Sequence, residues 1–124
     1  MLQGRVLLVD DNEVNRIVAC AMLDHWSVSY KCASDGKEAV EKWQRLKPDL
    51  ILMDIQMPIC DGYKATKRIR ELERGNSRIP IIALTASEES IEREKCLKAG
   101  MDDFINKPFD QDDLYSKLKQ WLAN

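Results

Sequence analysis

Short apolar stretches alternate with amphipathic patterns along the whole chain, and this alternation predicts the fold. Five stretches predict β-strands because they are rich in apolar residues and bounded by turn residues. They are Arg5–Val9, 27–33, the run from Leu50 into Asp54, 79–84 and 104–106. Strands that alternate with helices in this way predict an α/β fold, a doubly wound parallel sheet with helices on both faces. We expect one domain over residues 1–124.

Apolar residues at helical spacing predict a helix after each strand. The predicted apolar faces are Val14, Ile17, Val18 and Ala21 in the first helix, Ala39, Val40, Trp43 and Leu46 in the second, Ala65, Ile69 and Leu72 in the third, Ile91, Cys96 and Leu97 in the fourth, and Leu114, Leu118, Trp121 and Leu122 in the last. We predict amino-terminal caps at Asp11 or Asn12 for the first helix, at Ser87 for the fourth and at Asp110 for the last. The second helix is predicted to end at Pro48 and the third at Gly75. The third helix is predicted over 63–74 and the fourth over 87–99. The fourth apolar face is the least regular, so we expect that helix to be the most loosely held.

Composition and charge exclude several classes of protein. The 124 residues are 44% hydrophobic and 32% charged, which is ordinary for a globular protein. A formal net charge of -2 offers no basic surface for nucleic acid or for an anionic membrane. No apolar run approaches the roughly 20 residues of a membrane span. The scattered thiols lack zinc-ligand spacing, so we interpret them as small hydrophobic residues in a reducing cytoplasm: Cys20, Cys32, Cys60 and Cys96.

Polar residues stand where the predicted strands end. They are Asp10 and Asp11, Asp54, Thr85 and Lys107. Ligands of open parallel sheets bind outside the carboxyl ends of the strands, so these side chains are expected to converge on one edge. Taken singly, each has a simpler explanation, since Asp54 could cap a turn, Thr85 could cap a helix and Lys107 could pair with a surface acid.

Three carboxylates in one place repel one another, and a hard divalent cation compensates for that repulsion. Mg²⁺ suits such a site because it takes oxygen ligands and keeps coordination positions for phosphate oxygens. A carboxylate can also act as a nucleophile toward phosphorus. Phosphoryl transfer mainly requires positioning and charge neutralisation, which a metal, a lysine and a hydroxyl supply. The residues therefore predict a phosphoryl-transfer site.

Over nearly its whole length the chain resembles the receiver domain of two-component response regulators. The matching motifs are Val9-Asp-Asp-Asn12, Leu52-Met-Asp-Ile-Gln-Met-Pro58 with Asp61-Gly62, Ala83-Leu-Thr-Ala86 and Lys107-Pro108. The resemblance implies a flavodoxin-like sheet of five strands in the order 2-1-3-4-5, with five helices. It also implies a signalling phosphoacceptor rather than an enzyme.

The resemblance further implies a role for each matching residue. Asp54 would accept a phosphoryl group from a phosphohistidine, and Thr85 and Lys107 would contact its oxygens. Mg²⁺, with Mn²⁺ as an alternative, would be held by Asp10, Asp11, Asp54 and the carbonyl of Gln56. Phe104 occupies the position of an aromatic switch that responds to Thr85, although a core aromatic residue on a buried strand is an equally simple interpretation. The peptide bond before Pro108 would be cis.

Further motifs resemble receivers of hybrid sensor kinases and phosphorelays. They are Asp11-Asn-Glu-Val-Asn15, Gln56-Met-Pro58 and Tyr63-Lys-Ala-Thr66. The implied partners are a sensor histidine kinase and a histidine phosphotransfer protein, with a phosphorylation-dependent homodimer as a further expectation. We expect a cytoplasmic chain without direct contact to nucleic acid or membrane, either standing alone or forming part of a hybrid kinase.

Other functions fit the residues less well. A magnesium-dependent phosphatase with an aspartyl-phosphate intermediate is the main alternative, but its second aspartate would stand where this chain has Gln56. A flavin-nucleotide binder would need a first loop rich in Gly, Ser or Thr, and Asp10 and Asp11 would repel its phosphate. A degenerate receiver that only docks partners would have lost some of the key residues, which are all present here.

Overall fold

The computed structural model describes residues 2–55, 57, 61–73, 78–86 and 90–122. Within these ranges strands and helices alternate as β1 (Arg5–Val9), α1 (Glu13–His25), β2 (Ser29–Ala33), α2 (Gly36–Leu46), β3 (Leu50–Asp54), α3 (Gly62–Leu72), β4 (Ile81–Thr85), α4 (Ser90–Ala99), β5 (Asp103–Asn106) and α5 (Gln111–Leu122). The five strands are parallel and lie in the order β2-β1-β3-β4-β5. The predicted α/β architecture and strand order are therefore confirmed.

The central strands bury both of their faces, which explains why they are continuously apolar. Alternate residues of β1 and β3 point to opposite sides of the sheet, so Leu8 and Leu52 join one core while Leu7 and Ile51 join the other. Helices α1 and α5 cover the first core, and α2, α3 and α4 cover the second. Each large side chain buried in this way contributes roughly 1.5–3 kcal/mol.

The structure corrects the predicted apolar face of α1. Val14, Ile17, Val18 and Ala21 are all exposed, and the buried residues of this helix are Ala19 and Leu23. Helix α1 is apolar on two sides, and the side that faces the sheet is decided by the way the helix lies on β1 and β2. Of the two predicted caps, Asn12 is the one used, since its side chain accepts a hydrogen bond from the backbone N–H of Asn15.

The predicted apolar face of α4 is also partly wrong. Cys96 is buried in the second core as predicted, but Ile91 and Leu97 are exposed, because the buried side of this helix is formed by Cys96 and Ala99.

Several predicted boundaries shift by a few residues. Strand β2 begins only at Ser29, because Ser27 has a left-handed backbone (φ 58°) that ends the preceding turn. Strand β4 begins after Pro80, which has no N–H to donate, and includes Thr85 as its last residue. The predicted cap at Asp110 is present, since its carboxylate accepts a hydrogen bond from the N–H of Asp112. The predicted cap at Ser87 and stop at Gly75 lie outside the described residues.

Two of the thiols predicted to be small hydrophobic residues meet between α1 and β2. The Sγ atoms of Cys20 and Cys32 are 3.6 Å apart, and both residues are half-buried. Burial, and then the hydrogen bond with Cys32, raise the pKa of Cys20 to about 12, so this thiol stays protonated. Cys96 is buried in the second core, and Cys60 lies outside the described residues. None of the described helices has the length and apolarity that a bilayer crossing requires.

Candidate functional site

The carboxyl edge of the sheet brings together side chains from four strand ends. Asp10 follows β1, Asp54 ends β3, Thr85 ends β4 and Lys107 follows β5. Asp54 and Thr85 lie on neighbouring strands that pair in register, Asp54 beside Leu84. The convergence predicted from the sequence is therefore present, although the chemical role of each residue stays a prediction.

Asp10, Asp11 and Asp54 form a compact carboxylate cluster. Ligand atoms from all three lie within 4.8 Å of one another. Asp10 and Asp54 are buried, whereas Asp11 is exposed. Three negative charges at this separation repel one another strongly, more so because two of them are removed from water. A cation is needed to balance them.

Lys107 supplies part of that balance. Its Nζ lies 3.1 Å from Asp10 Oδ2 and 3.2 Å from Asp54 Oδ1. Asp10 Oδ1 accepts a hydrogen bond from the N–H of Asn12, but the buried Oδ2 accepts no well-aligned hydrogen bond despite its ion pair. The Arg16 guanidinium also lies nearby, since it donates to the backbone carbonyl of Asp10. Among the described residues, the three carboxylates still outnumber these two cations, and Asp10 Oδ2 keeps spare capacity as an oxygen ligand. Both features fit a hard divalent cation such as Mg²⁺.

Backbone contacts hold the edge of the sheet in place. The N–H of Lys107 donates to the carbonyl of Thr85 at 2.7 Å, and the Lys107–Pro108 peptide bond is cis. Gly62 begins α3 directly against β3, and a Cβ there would stand 2.3 Å from the Asp54 carbonyl oxygen. Only glycine permits this approach, which fixes the start of α3 beside the acidic cluster.

A cavity of about 190 Å³ opens onto Asp54, Thr85 and Lys107. Its walls also include residues to which we assigned no role in the site from the sequence, namely Asn12, Asn15 and Glu92. Asn12 caps α1 and Asn15 lies in its first turn, so their closeness to the Asp10–Asp11 motif was the signal available. Glu92 belongs to α4, and its place in the wall depends on tertiary packing.

A larger cleft of about 680 Å³ lies at the opposite end of the sheet. It is bounded by the ends of α2 and α3, with Trp43, Leu72 and Pro80 in its walls. The carboxylate cluster and Lys107 are not part of it. We therefore place the candidate site in the smaller cavity, where charge and strand ends converge.

Phe104, the predicted aromatic switch, lies on β5, where it is half-buried and packs against the second core. The guanidinium carbon of Arg93 on α4 is 4.5 Å from the ring centroid, and Lys117 Nζ on α5 is 5.9 Å from it. Two cations therefore flank the ring from neighbouring helices. The adjacent Asp103 would have a raised pKa from burial alone, but hydrogen bonds from Trp121 and Lys117 lower its pKa below the ordinary value.

Residues 6–119 match the family model of the response regulator receiver domain. Among curated proteins, the chain is 36% identical to a probable histidine kinase 6 of Oryza sativa subsp. japonica, over 99% of this chain and 14% of that protein. It is 40% identical to the sensor protein GacS of Pseudomonas syringae pv. syringae, over 96% of this chain and 13% of that protein. The chain thus spans only about one-seventh of these relatives.

Solved structures show the same similarity. The receiver domain of sensor histidine kinase PA1611 from Pseudomonas aeruginosa PAO1, which has a magnesium ion in its active-site cleft, is 43% identical with a TM-score of 0.89, over 98% of this chain and 99% of that one. The Saccharomyces cerevisiae receiver domain of Ssk1, crystallised with the histidine phosphotransfer protein Ypd1, is 32% identical with a TM-score of 0.93, over 98% and 90% of the two chains.

Proposed function

The chain belongs to the response regulator receiver family, and on that premise we propose that Asp54 is its phosphoacceptor. In the proposed reaction an Asp54 carboxylate oxygen bonds to phosphorus while the P–N bond of a phosphohistidine breaks, and the electron pair of that bond returns to the imidazole. The observation that carries the proposal is the carboxylate at the end of β3, beside Lys107 and facing the cavity. Lys107 offsets charge on the transferred group.

We assign Mg²⁺ to the carboxylate cluster. Asp10, Asp11 and Asp54 would hold it, and the surplus of acidic oxygens over Lys107 supports this assignment. When bound, the metal neutralises charge on the phosphoryl oxygens. The chain's own contribution is to hold three oxygen donors close together before the metal arrives. The role of the Gln56 carbonyl stays a prediction, since Gln56 lies outside the described residues.

Phosphorylation is proposed to act on the surface formed by α4, β5 and α5. The hydroxyl of Thr85 and the ammonium of Lys107 would both turn toward the phosphoryl oxygens. Movement of Thr85 makes room for the ring of Phe104 to turn inward, away from Arg93 and Lys117, which flank it in this structure. Such a switch is a shift between two populations, biased by the phosphoryl group's preference for one of them.

We further propose that the chain works in a phosphorelay, as a receiver of a longer hybrid histidine kinase. The similarity to sensor kinases and to a receiver bound to a phosphotransfer protein supports this proposal. A cytoplasmic location stays a prediction from the sequence.

The exposed apolar face of α1 is proposed as the docking surface for the phosphotransfer partner. Asp54 is almost fully buried, so a partner histidine reaches it only by sitting on the rim of the cavity. Asn12 and Asn15 form part of that rim, and Val14, Ile17 and Val18 continue from it along the outside of α1. A rim that is polar at the reacting end and apolar beyond it suits a helical protein that carries the histidine.

The acceptor assignment is tested by intact mass after incubation with acetyl phosphate and Mg²⁺. We expect one added phosphoryl group on the parent chain, dependent on the metal, and none on Asp54→Asn. The variant keeps the size of the side chain but removes the nucleophilic charge. Asp61→Asn is the matched control, since Asp61 caps α3 outside the cluster, and it is expected to accept phosphate normally. A phosphoryl group on Asp54→Asn would show that the nucleophile is another residue.

The docking assignment is tested with Ile17→Ser and Ile91→Ser, which replace isoleucines of similar exposure (60% and 63%) on α1 and α4. Phosphorylated yeast Ypd1 serves as the protein donor and acetyl phosphate as the partner-independent donor. We expect Ile17→Ser to slow transfer from Ypd1 about tenfold, which corresponds to about 1.4 kcal/mol, and to leave acetyl phosphate labelling unchanged. Equal transfer rates for the two variants would contradict the assignment to α1.

A further inference from the structure

A carboxylate outside the aspartate cluster faces the cavity from a different element. Glu92 stands in the first turn of α4 and forms part of the same wall as Asp54, Thr85 and Lys107. It is half-buried, unlike its helix neighbours Arg93 and Glu94, which are exposed.

Tyr63 holds this carboxylate in place. The phenol hydroxyl of Tyr63, on α3, donates a hydrogen bond to Glu92 Oε1, so the contact joins two helices through residues that are 29 positions apart in the chain. Burial, and then this hydrogen bond, raise the pKa of Tyr63, so the phenol remains a donor across the physiological range. A glutamate with its own donor is restrained from turning out into solvent.

We propose that the carboxylate of Glu92 tunes the charge of the cavity: it destabilises a phosphoryl group on Asp54 and strengthens the binding of Mg²⁺. This inference rests on the proposed function, because it concerns what the same site binds. Asp54 carries one negative charge, and its phosphorylated form carries more, so phosphorylation increases repulsion from Glu92. The effect on Mg²⁺ is the opposite, because a carboxylate in addition to the three aspartates attracts the cation.

The repulsion has two consequences for a relay. The aspartyl phosphate lies higher in free energy, which makes its phosphoryl group easier to pass on. The same force acts on α4 through the Glu92 side chain, and the next residue, Arg93, flanks the Phe104 ring. Glu92 thereby connects charge in the cavity with the helix that covers the proposed switch.

The test measures two affinities whose expected changes have opposite signs. Beryllofluoride serves as the phosphoryl-like anion and is titrated at saturating Mg²⁺, with binding followed by fluorine NMR. Mg²⁺ alone is titrated by calorimetry. In Glu92→Gln we expect beryllofluoride to bind about three- to tenfold more tightly and Mg²⁺ to bind more weakly by a similar factor. Both shifts are expected to shrink as salt is raised.

Two further variants isolate the position of the charge. Glu94→Gln removes the same charge two residues along α4, outside the cavity wall, and is expected to match the parent in both titrations. Tyr63→Phe removes the donor that holds Glu92, so it is expected to shift both affinities in the same directions as Glu92→Gln but by less. It also provides a second test should Glu92→Gln fail to fold.

The outcomes separate this inference from the proposed function. Affinities in Glu92→Gln equal to those in Glu94→Gln would overturn the role of Glu92, and so would weaker binding of both ions, which indicates a purely structural role. Parent affinities in Tyr63→Phe would overturn the role of Tyr63. A parent chain that binds neither Mg²⁺ nor beryllofluoride would overturn the proposed function, and this inference with it.

Discussion

The two ends of the sheet carry similar numbers of charged side chains and use them in opposite ways. At the amino end, Arg70, Arg78, Glu73 and Asp102 form a network in which two cations meet two anions. At the carboxyl end, three aspartates lie together, and Lys107 pairs with two of them, Asp10 and Asp54. We call the amino end, where positive and negative charges are matched, the closed end, and the carboxyl end, where negative charges are in excess, the open end.

Nearly every polar atom of the amino-end network has a well-placed partner. Arg70 donates to both carboxylate oxygens of Glu73 at 3.0 Å, to Asp102 Oδ2 at 2.8 Å and to the carbonyls of Ile79 and Gly100. Glu73 also accepts a hydrogen bond from the backbone N–H of Ile79, just before β4, and Asp102 accepts one from the N–H of Ile81, the first residue of β4. The network ties the end of α3 to the starts of β4 and β5. Its role is structural.

The carboxyl end lacks this completeness, since Asp10 Oδ2 is buried without a well-aligned hydrogen bond. Burying like charges together costs stability unless something compensates for them. The contrast therefore indicates that the charged groups of the closed end support the fold, whereas those of the open end suit the metal and the phosphoryl group that we propose it binds. Uncompensated charge of this kind is expected in a site that must bind a charged ligand.

Arg70→Met is the variant with the largest expected effect on this contrast. Methionine keeps the apolar stem, but Glu73 and Asp102 lose their buried cation, and two carbonyls lose a donor. Breaking a buried ion pair from one side costs about 3 kcal/mol or more, so we expect the free energy of unfolding to fall by about that amount in urea titrations. Mg²⁺ binding at the other end is expected to stay unchanged.

Arg68→Met provides the control for that variant. Arg68 is exposed on the same helix, so its replacement is expected to change stability by less than about 0.5 kcal/mol. Equal stabilities for the two variants would show that the amino-end network does not support the fold.

The alternation of apolar stretches was sufficient to predict the sheet because each strand and helix carries its own periodicity. The inward face of α1 was not predictable in the same way. The helix has one stripe with Val14 and Ile17 and another with Ala19 and Leu23, and the smaller Ala19 is buried because close packing on the sheet favours a small side chain there. Hydrophobicity alone does not determine which of the two stripes faces the sheet.

The candidate site was predictable to the extent that it is built from strand ends. Asp54 ends its strand, Asp10 and Lys107 follow theirs directly, and parallel strands bring their carboxyl ends to one edge. Glu92 and Tyr63 were not predictable, because their contact depends on how α3 packs beside α4. The sequence around Glu92 shows only a charged helix with little apolar periodicity.

Asp11→Asn tests the open end and has a smaller expected effect on stability. Asp11 is exposed, so removing its charge disturbs no packing and relieves repulsion within the cluster. Without metal, we expect the free energy of unfolding to rise by about 0.5 kcal/mol at low salt.

Added Mg²⁺ is expected to stabilise the parent according to its affinity for the folded chain, and Asp11→Asn is expected to gain much less stability from the metal. Glu41→Gln, an exposed neutralisation on α2, is expected to keep the parent's Mg²⁺ response. A lower stability of Asp11→Asn without metal would mean that the carboxylate cluster is already compensated, and that the two ends of the sheet do not differ as argued.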